Sequence, residues 1–303
     1  DDAKRMHLAC HLFVGNSLVK MYGKCGSTVE AENVFEQLMY RDVVSWNVML
    51  SAYVEKSGQQ EKAFALFEKM LEAGPWPDDI TLVYMLRACS GTSGSSRLCR
   101  LIHVIVLCIG CDNKRPLLAN TLLHAYGCCS SMPDAQAVFD QLTKKDVTSW
   151  NSLIAGYAQD ANLNACLDNF ERMQGAFGIE PDGITFLSMF FAFSHSGCID
   201  KGMEFFASMS KHGITLEIKH FGGIMDTFAR AGDFRSLESM LLKMPMQPDA
   251  TLWSSLLGAC QTHNNRSLAE YVFNHAVNHD AKEVPAYVLM SNIYAREEVK
   301  LDL

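Results

Sequence analysis

The chain has 303 residues, 49% of them hydrophobic and 20% charged, with a net charge of −8 and a pI near 5.7. That composition supports a buried core and excludes a disordered chain. The acidity excludes a global attraction for phosphate, so any nucleic-acid contact must come from local residues. The eleven cysteines are scattered through helical patterns, in a chain large enough for its own core, which favours reduced, packed thiols and an intracellular compartment.

The N-terminal stretch DDAKRMHLAC has neither an initiator Met nor the blocks of a signal peptide, so a targeting peptide is expected to lie outside this sequence. From residue 12 onward the text repeats itself. GNSLVKMYGKCGS at 15–27 returns as ANTLLHAYGCCSS at 119–131, and DVVSWNVMLSAY at 42–53 returns as DVTSWNSLIAGY at 146–157, both displaced by 104 residues. Each 104-residue block divides into three smaller repeats of about 31, 36 and 37 residues, beginning at Leu12, Val43 and Asp79 and again at Pro116, Val147 and Gly183.

Each small repeat reads as two helices. In the repeat from Val43, Trp46, Met49, Leu50 and Tyr53 fall at i, i+3, i+4 and i+7, and after a break at KSGQQ the residues Ala63, Leu66, Phe67 and Met70 repeat the spacing. Gly74, Pro75 and Pro77 stop the second helix, and Asp78 is placed to cap the next one. The stretch LIHVIVLCIGC at 101–111 falls short of a membrane span and contains His103; it reads as a buried helix, and no membrane partner is expected. No β alternation with hairpin turns interrupts the scheme. A two-helix unit of this size cannot bury both stripes alone, so the expected fold is all-α, a right-handed superhelical solenoid of helix-turn-helix repeats.

The residues decide which repeat. DVVSWNVMLSAYVEKSGQQEKAFALFEKMLEAGPWPD resembles a plant pentatricopeptide P repeat, FVGNSLVKMYGKCGSTVEAENVFEQLMYRD the short S repeat, and GITFLSMFFAFSHSGCIDKGMEFFASM the L repeat. The order resembles that of the PLS subclass, with S at 12–42, P at 43–78, L at 79–115, S at 116–146, P at 147–182, L2 at 183–217 and S2 at 218–249. TLWSSLLGACQTHNN and PAYVLMSNIYA resemble the E1 and E2 extension motifs, giving E1 at 250–283 and a partial E2 at 284–303.

The resemblance implies single-stranded RNA of mitochondria or chloroplasts as the partner, read one base per repeat by the fifth and last residues of each unit. The pairs are Asn16 with Asp42, Asn47 with Asp78, Asn120 with Asp146, and Asn151 with Asp182, with uracil preferred over cytosine. An Asn amide offers a donor and an acceptor to a pyrimidine's pairing edge, and a nearby carboxylate can fix its orientation. The L repeats offer Val83 and Leu187 at the fifth place, which cannot hydrogen-bond a base. The last S repeat has Gly222 there, with Asp249 at its end. The second residues, Phe13, Val44, Ile80, Leu117, Thr148 and Ile184, correspond to the family's wedge between bases, and Lys24 and Arg230 to its phosphate contacts.

The resemblance also implies a specificity factor for C-to-U RNA editing. Its final S repeat would lie opposite position −4 from the edited cytidine, and the deaminase would act in trans, recruited through residues such as Trp253, Leu256, Leu257 and Tyr287. Equally open from the residues, these four close the end of the core. None of the ten histidines is followed two places later by Glu, so the zinc chemistry of a deaminase is not expected in this chain. Cys108 and Cys111 form a CxxC without a second pair at zinc spacing, and His7 and His11 flank Cys10 without an acidic partner; packed or solvated side chains are the plainer reading, and no cofactor is expected. Two alternatives stay open. Each Asp could serve only as a helix cap beside a solvated Asn, and the solenoid could be a protein-binding scaffold with no RNA role.

Overall fold

A computed structural model describes residues 12–56, 58–90, 95–109, 115–176, 178–279 and 284–301. His7, Cys10, His11 and Cys111 lie outside them. The described residues form helices and turns without a β-strand, and among them no helix is long and apolar enough to cross a membrane.

The chain divides into two compact units, residues 1–156 and 157–303. The first contains α1 (Leu12–Lys24), α2 (Thr28–Gln37), α3 (Val43–Val54), α4 (Gln60–Ala73), α5 (Asp79–Ser90), α6 (Ser96–Ile109), α7 (Pro116–Cys128) and α8 (Met132–Gln141), and the division falls inside α9 (Val147–Gln159). The second contains α10 (Leu163–Gly175), α11 (Gly183–Ser196), α12 (Ile199–Ser208) with a 3₁₀ turn at Met209–His212, α13 (Ile218–Ala231), α14 (Phe234–Lys243), α15 (Ala250–His263), α16 (Arg266–His279) and α17 (Val284–Leu301).

In the first unit the leading helices of successive pairs pack on one another, α1 on α3, α3 on α5 and α5 on α7, while each pair also packs internally. In the second, α11, α13, α15 and α17 form the corresponding series. The core is therefore a continuous strip within each unit, fed by every leading helix. Trp46, Met49, Leu50 and Tyr53 of α3 and Ala63, Leu66, Phe67 and Met70 of α4 are all buried, as their spacing requires.

The 104-residue repeat is reproduced in the packing of the first unit. Trp46 meets Phe35 edge-on at 5.2 Å with Arg41 over the Phe35 ring, and Trp150 meets Phe139 at 4.6 Å with Lys145 over that ring. Leading helices approach closely at equivalent points: a methyl added to Gly23 would lie 2.7 Å from the Ala52 Cβ, and one added to Gly127 would lie 2.9 Å from the Gly156 Cα. The turn inside the S repeat takes a left-handed residue in both copies, Gly26 at φ 73° and Ser130 at φ 53°, so the second copy bears a conformational cost that glycine avoids.

Two expectations are corrected. The segment from 101 is not fully buried: α6 buries Cys99, Ile102 and Val106 but leaves Leu101, Val104 and Leu107 more than half exposed, because one face of this outer helix has no neighbour among the described residues. Trp253, Leu256 and Leu257 do not form a docking face. They are buried where α15 packs against α16 and α17, and only Tyr287 of the four is exposed.

Replacing Trp46 by Ala removes a buried indole from between two helices and should cost about 3–5 kcal/mol. A thermal melt of the variant indistinguishable from that of the parent would contradict this account of the core.

Candidate nucleic-acid interface

Three of the repeat boundaries in the first unit carry an Asp that begins the following leading helix; the fourth, before Pro116, has Arg115 and no side-chain cap. Asp42, Asp78 and Asp146 each accept the backbone N–H of the residue three places on, Ser45, Thr81 and Ser149, at 2.8 Å in every case. The carboxylate thereby satisfies a helix N-terminal donor that has no partner inside the helix. The Ser or Thr hydroxyl reaches back to the same oxygen, Oδ1, at 2.9, 2.9 and 2.7 Å. In the second unit Asp182 caps α11 in the same way, and Asp249 caps α15.

The cap also holds the amide of the preceding repeat. Asn47 Nδ2 donates to Asp78 Oδ1 at 2.9 Å, and the Thr81 hydroxyl donates to Asn47 Oδ1 at 2.6 Å. Asn120 repeats the arrangement more loosely, with Nδ2 at 3.4 Å from Asp146 Oδ1 and the Ser149 hydroxyl at 2.9 Å from its Oδ1. Asn16 hydrogen-bonds Asp42 through its side chain. Asn151 is buried on α9, and Asp182 belongs to the other side of the division between compact units. In Asn47 and Asn120 the amide is thus oriented at both ends, nitrogen toward the carboxylate and oxygen toward the hydroxyl, whereas the Asn16 oxygen is buried without a partner. The hydroxyl-bearing residues Ser45, Thr81, Ser149 and Thr185 were not singled out from the sequence, although each stands third after its Asp in a capping-box spacing.

The carboxylates are tuned by this arrangement. Burial pushes the Asp78 pKa up, but hydrogen bonds from the Thr81 N–H and the Asn47 amide outweigh it and hold the carboxyl below its ordinary value. Asp42 and Asp146 are lowered by the same balance, with Ser45 and Asn16, and Ser149 and Asn120, as donors.

The second residues of the repeats flank these amides from outside. Phe13, Val44, Ile80, Leu117 and Ile184 are each more than half exposed although apolar, and Thr148 is exposed as well. Val44 and Ile80 bound a cleft of about 210 Å³ whose lining also includes Asn47, Asp78, Ser51 and Lys20. Lys24 ends α1 and lines a smaller recess with Lys20 and Glu55. Arg230 is ion-paired to Asp226 at 3.0 Å, and Asp226 also accepts from Ser194. Lys20 lines the Asn47 cleft although the sequence reading passed over it; it lies one helical turn before Lys24, on the same face.

The pattern fails at the last short repeat. Gly222 supplies no amide, Asp249 caps the Leu252 N–H at 2.8 Å, and Leu252 stands where the other repeats have a hydroxyl. Val83 and Leu187, half-buried, take the amide's place in the long repeats. Among the described residues no group of three or more His, Cys, Asp or Glu is arranged to hold a metal ion.

Paired helices stacked in series, with oriented amides at Asn47 and Asn120, define an α-helical repeat protein. A family model described as PPR repeat family matches residues 41–91, and one described as PPR repeat matches 16–43, 118–147, 148–176 and 184–214. The chain belongs to the plant pentatricopeptide repeat family. It is 36% identical over 288 residues to the Arabidopsis thaliana pentatricopeptide repeat-containing protein At1g08070, chloroplastic, covering 94% of this chain and 38% of that protein. It is 34% identical over 292 residues to At2g03880, mitochondrial, of the same plant, covering 96% of this chain and 45% of that protein. The chain spans less than half the length of these two curated relatives. The crystal structure of PPR10 from maize matches 93% of this chain and 46% of its own with a TM-score of 0.59 at 17% identity. PPR10 in complex with an 18-nt psaJ RNA element matches 93% and 51% with a TM-score of 0.51. The fold is accordingly an all-helical repeat solenoid of paired helices.

The depressed carboxylate values give a pH signature. Their stabilisation is fully present above the unfolded value, about 3.9, and is lost as pH falls through the lower folded values. Denaturation of the parent and Asp78→Asn should therefore differ by a constant amount above about pH 5, with the gap closing below pH 3.9. A difference unchanged from neutral pH to pH 2 would refute the assignment.

Proposed function

We propose that this protein binds single-stranded organellar RNA, one base per repeat, with the repeats at 12–42, 43–78, 116–146 and 147–182 selecting pyrimidines and preferring uracil. The observation that carries the reading is the double anchoring of Asn47. A side-chain amide has two N–H donors and a carbonyl with two lone pairs. Asp78 takes one donor and Thr81 one lone pair, which leaves one donor and one lone pair of a fixed amide unused by these bonds. They lie in the cleft between Val44 and Ile80, whose apolar faces suit the two sides of a base. A cap alone requires neither the fixed amide nor the exposed flanks.

Family membership and the likeness to PPR10, which has been crystallised with RNA, support the same reading. Relatives named as chloroplastic and mitochondrial support an organellar location. We further propose a role as the specificity factor for C-to-U editing, with the deaminase supplied in trans. Its support is the alternation of short and P repeats: the second helix has 10 residues at 28–37, 132–141 and 234–243 but 14 and 13 at 60–73 and 163–175, while in the long repeats it has 14 at 96–109 and 10, followed by a 3₁₀ turn, at 199–208. With the last short repeat opposite position −4, the amide-bearing repeats fall on −10, −9, −7 and −6.

Asn47→Ala should weaken binding of a uridine-containing target by about 1–3 kcal/mol, the scale of a single lost base contact, and leave helix content unchanged. A gel shift with uridine-rich single-stranded RNA, the same DNA and a duplex measures both affinity and class. A protein-binding scaffold would shift none of the three and would not respond to the substitution. Selection from a random RNA pool should enrich pyrimidines at −10, −9, −7 and −6; purines enriched at −9 and −6 would overturn the register.

A further inference from the structure

The long repeat at 79–115 has no amide at its fifth place, yet the structure opens a second cleft there. Ile80 and Leu117 bound it as Val44 and Ile80 bound the preceding one, and Val83 stands where Asn47 stands. Its volume is about 370 Å³, against about 210 Å³ for the cleft at Asn47. Tyr84, Arg87, Arg115 and Asp79 complete the lining.

The polar groups of the two clefts differ in kind. One helical turn beyond Asn47 the residue is Ser51; one turn beyond Val83 it is Arg87. Arg115 is committed to Asp79 across the cleft at 2.7 Å. Among the described residues no carboxylate is ion-paired with Arg87. On the neighbouring leading helix, partial desolvation and then the Arg87 guanidinium lower the pKa of His124, keeping that imidazole neutral near pH 7. Arg87 therefore brings a donor-only fork to a cleft with apolar walls.

A guanidinium fork matches two adjacent acceptors. Guanine offers them at O6 and N7, and cytosine, the smaller base, at N3 and O2; adenine pairs N7 with a donor amine. Uracil's O4 stands beside an N–H. The larger volume accommodates a purine where the Asn47 cleft is smaller. We propose that the cleft between Ile80 and Leu117 is a base-binding site in its own right, in which Arg87 selects guanine at the nucleotide between those facing Asn47 and Asn120. The proposal rests on the RNA-binding reading and gives the long repeat a specificity that its fifth residue does not.

The test uses the full chain and four RNAs identical except for G, A, U or C at that nucleotide, which the register places at −8. The parent should bind the G-containing RNA more tightly than the others by about 5- to 100-fold, the range of one bidentate contact. Arg87→Lys keeps the charge and removes the fork, so it should level the four affinities while holding the mean within about threefold. Equal affinities for the parent, with Asn47→Ala still weakening all four, would overturn this proposal and leave the RNA-binding reading standing. A parent preference that survives Arg87→Lys would also overturn it, as would an Arg87→Gln variant that weakens all four equally, since that marks a phosphate contact. No binding to any of the four would overturn both readings.

Discussion

One carboxylate oxygen at the Asp78 and Asp146 boundaries does two jobs that would otherwise be independent. Asp78 Oδ1 accepts from the Thr81 backbone at 2.8 Å, which starts α5, and from the Asn47 amide at 2.9 Å, which belongs to α3. Helix initiation in one repeat and amide orientation in the previous repeat therefore share an atom. A displacement of one leading helix against the next by a single turn, about 5.4 Å, would break the amide contact while leaving the cap intact. The recognition chemistry consequently depends on the packing that sets repeat spacing. The last short repeat shows the two functions separated: Asp249 still caps α15, but with Gly222 and Leu252 around it the oxygen has nothing to orient.

The spacing itself comes from features repeated at 104 residues. The Phe35–Trp46 and Phe139–Trp150 pairs pack the second helix of an S repeat against the leading helix of the next P repeat. The Gly23–Ala52 and Gly127–Gly156 contacts let adjacent leading helices approach to the point where an added methyl would clash. Aromatic edges set the separation on one side and missing side chains set it on the other. Both lie within one turn to two turns of the amide-bearing residue on the same helices, so the scaffold is stiff where the amide must be placed.

Most of the fold was legible because its determinants are local. The spacing of Trp46, Met49, Leu50 and Tyr53, the Gly and Pro punctuation at 74–77 and the Asp caps all act within a few residues of chain. The bond between Thr81 and Asn47 joins residues 34 apart, and nothing in either local sequence announces the partner; only the stacking of leading helices brings them together. Composition also misled where direction mattered. LIHVIVLCIGC is apolar apart from His103, but apolar content does not say which faces have neighbours, and Leu101, Val104 and Leu107 face outward. Trp253 carries the large apolar surface expected of a docking site, yet it is buried where α15 packs against α16 and α17 and serves as core.

Charge is distributed so that base edges, rather than phosphates, must carry recognition on the proposed reading. The net charge is −8, and of the two cations picked out from the sequence, Arg230 is bound to Asp226, so its pairing must be broken before it can serve a phosphate. The cations that do line the clefts, Lys20 at Asn47 and Arg87 at Val83, come from a position one turn earlier on the leading helix than Lys24. A cation there lies against the base site instead of beyond it. Phosphate neutralisation by so few groups releases few counterions, which limits sequence-independent affinity. An oriented amide between apolar walls, by contrast, loses its hydrogen bonds whenever the wrong edge is presented, and an unmade bond in a desolvated site costs more than a made one contributes. Low background attraction and costly mismatches act in the same direction, toward discrimination at the expense of general affinity.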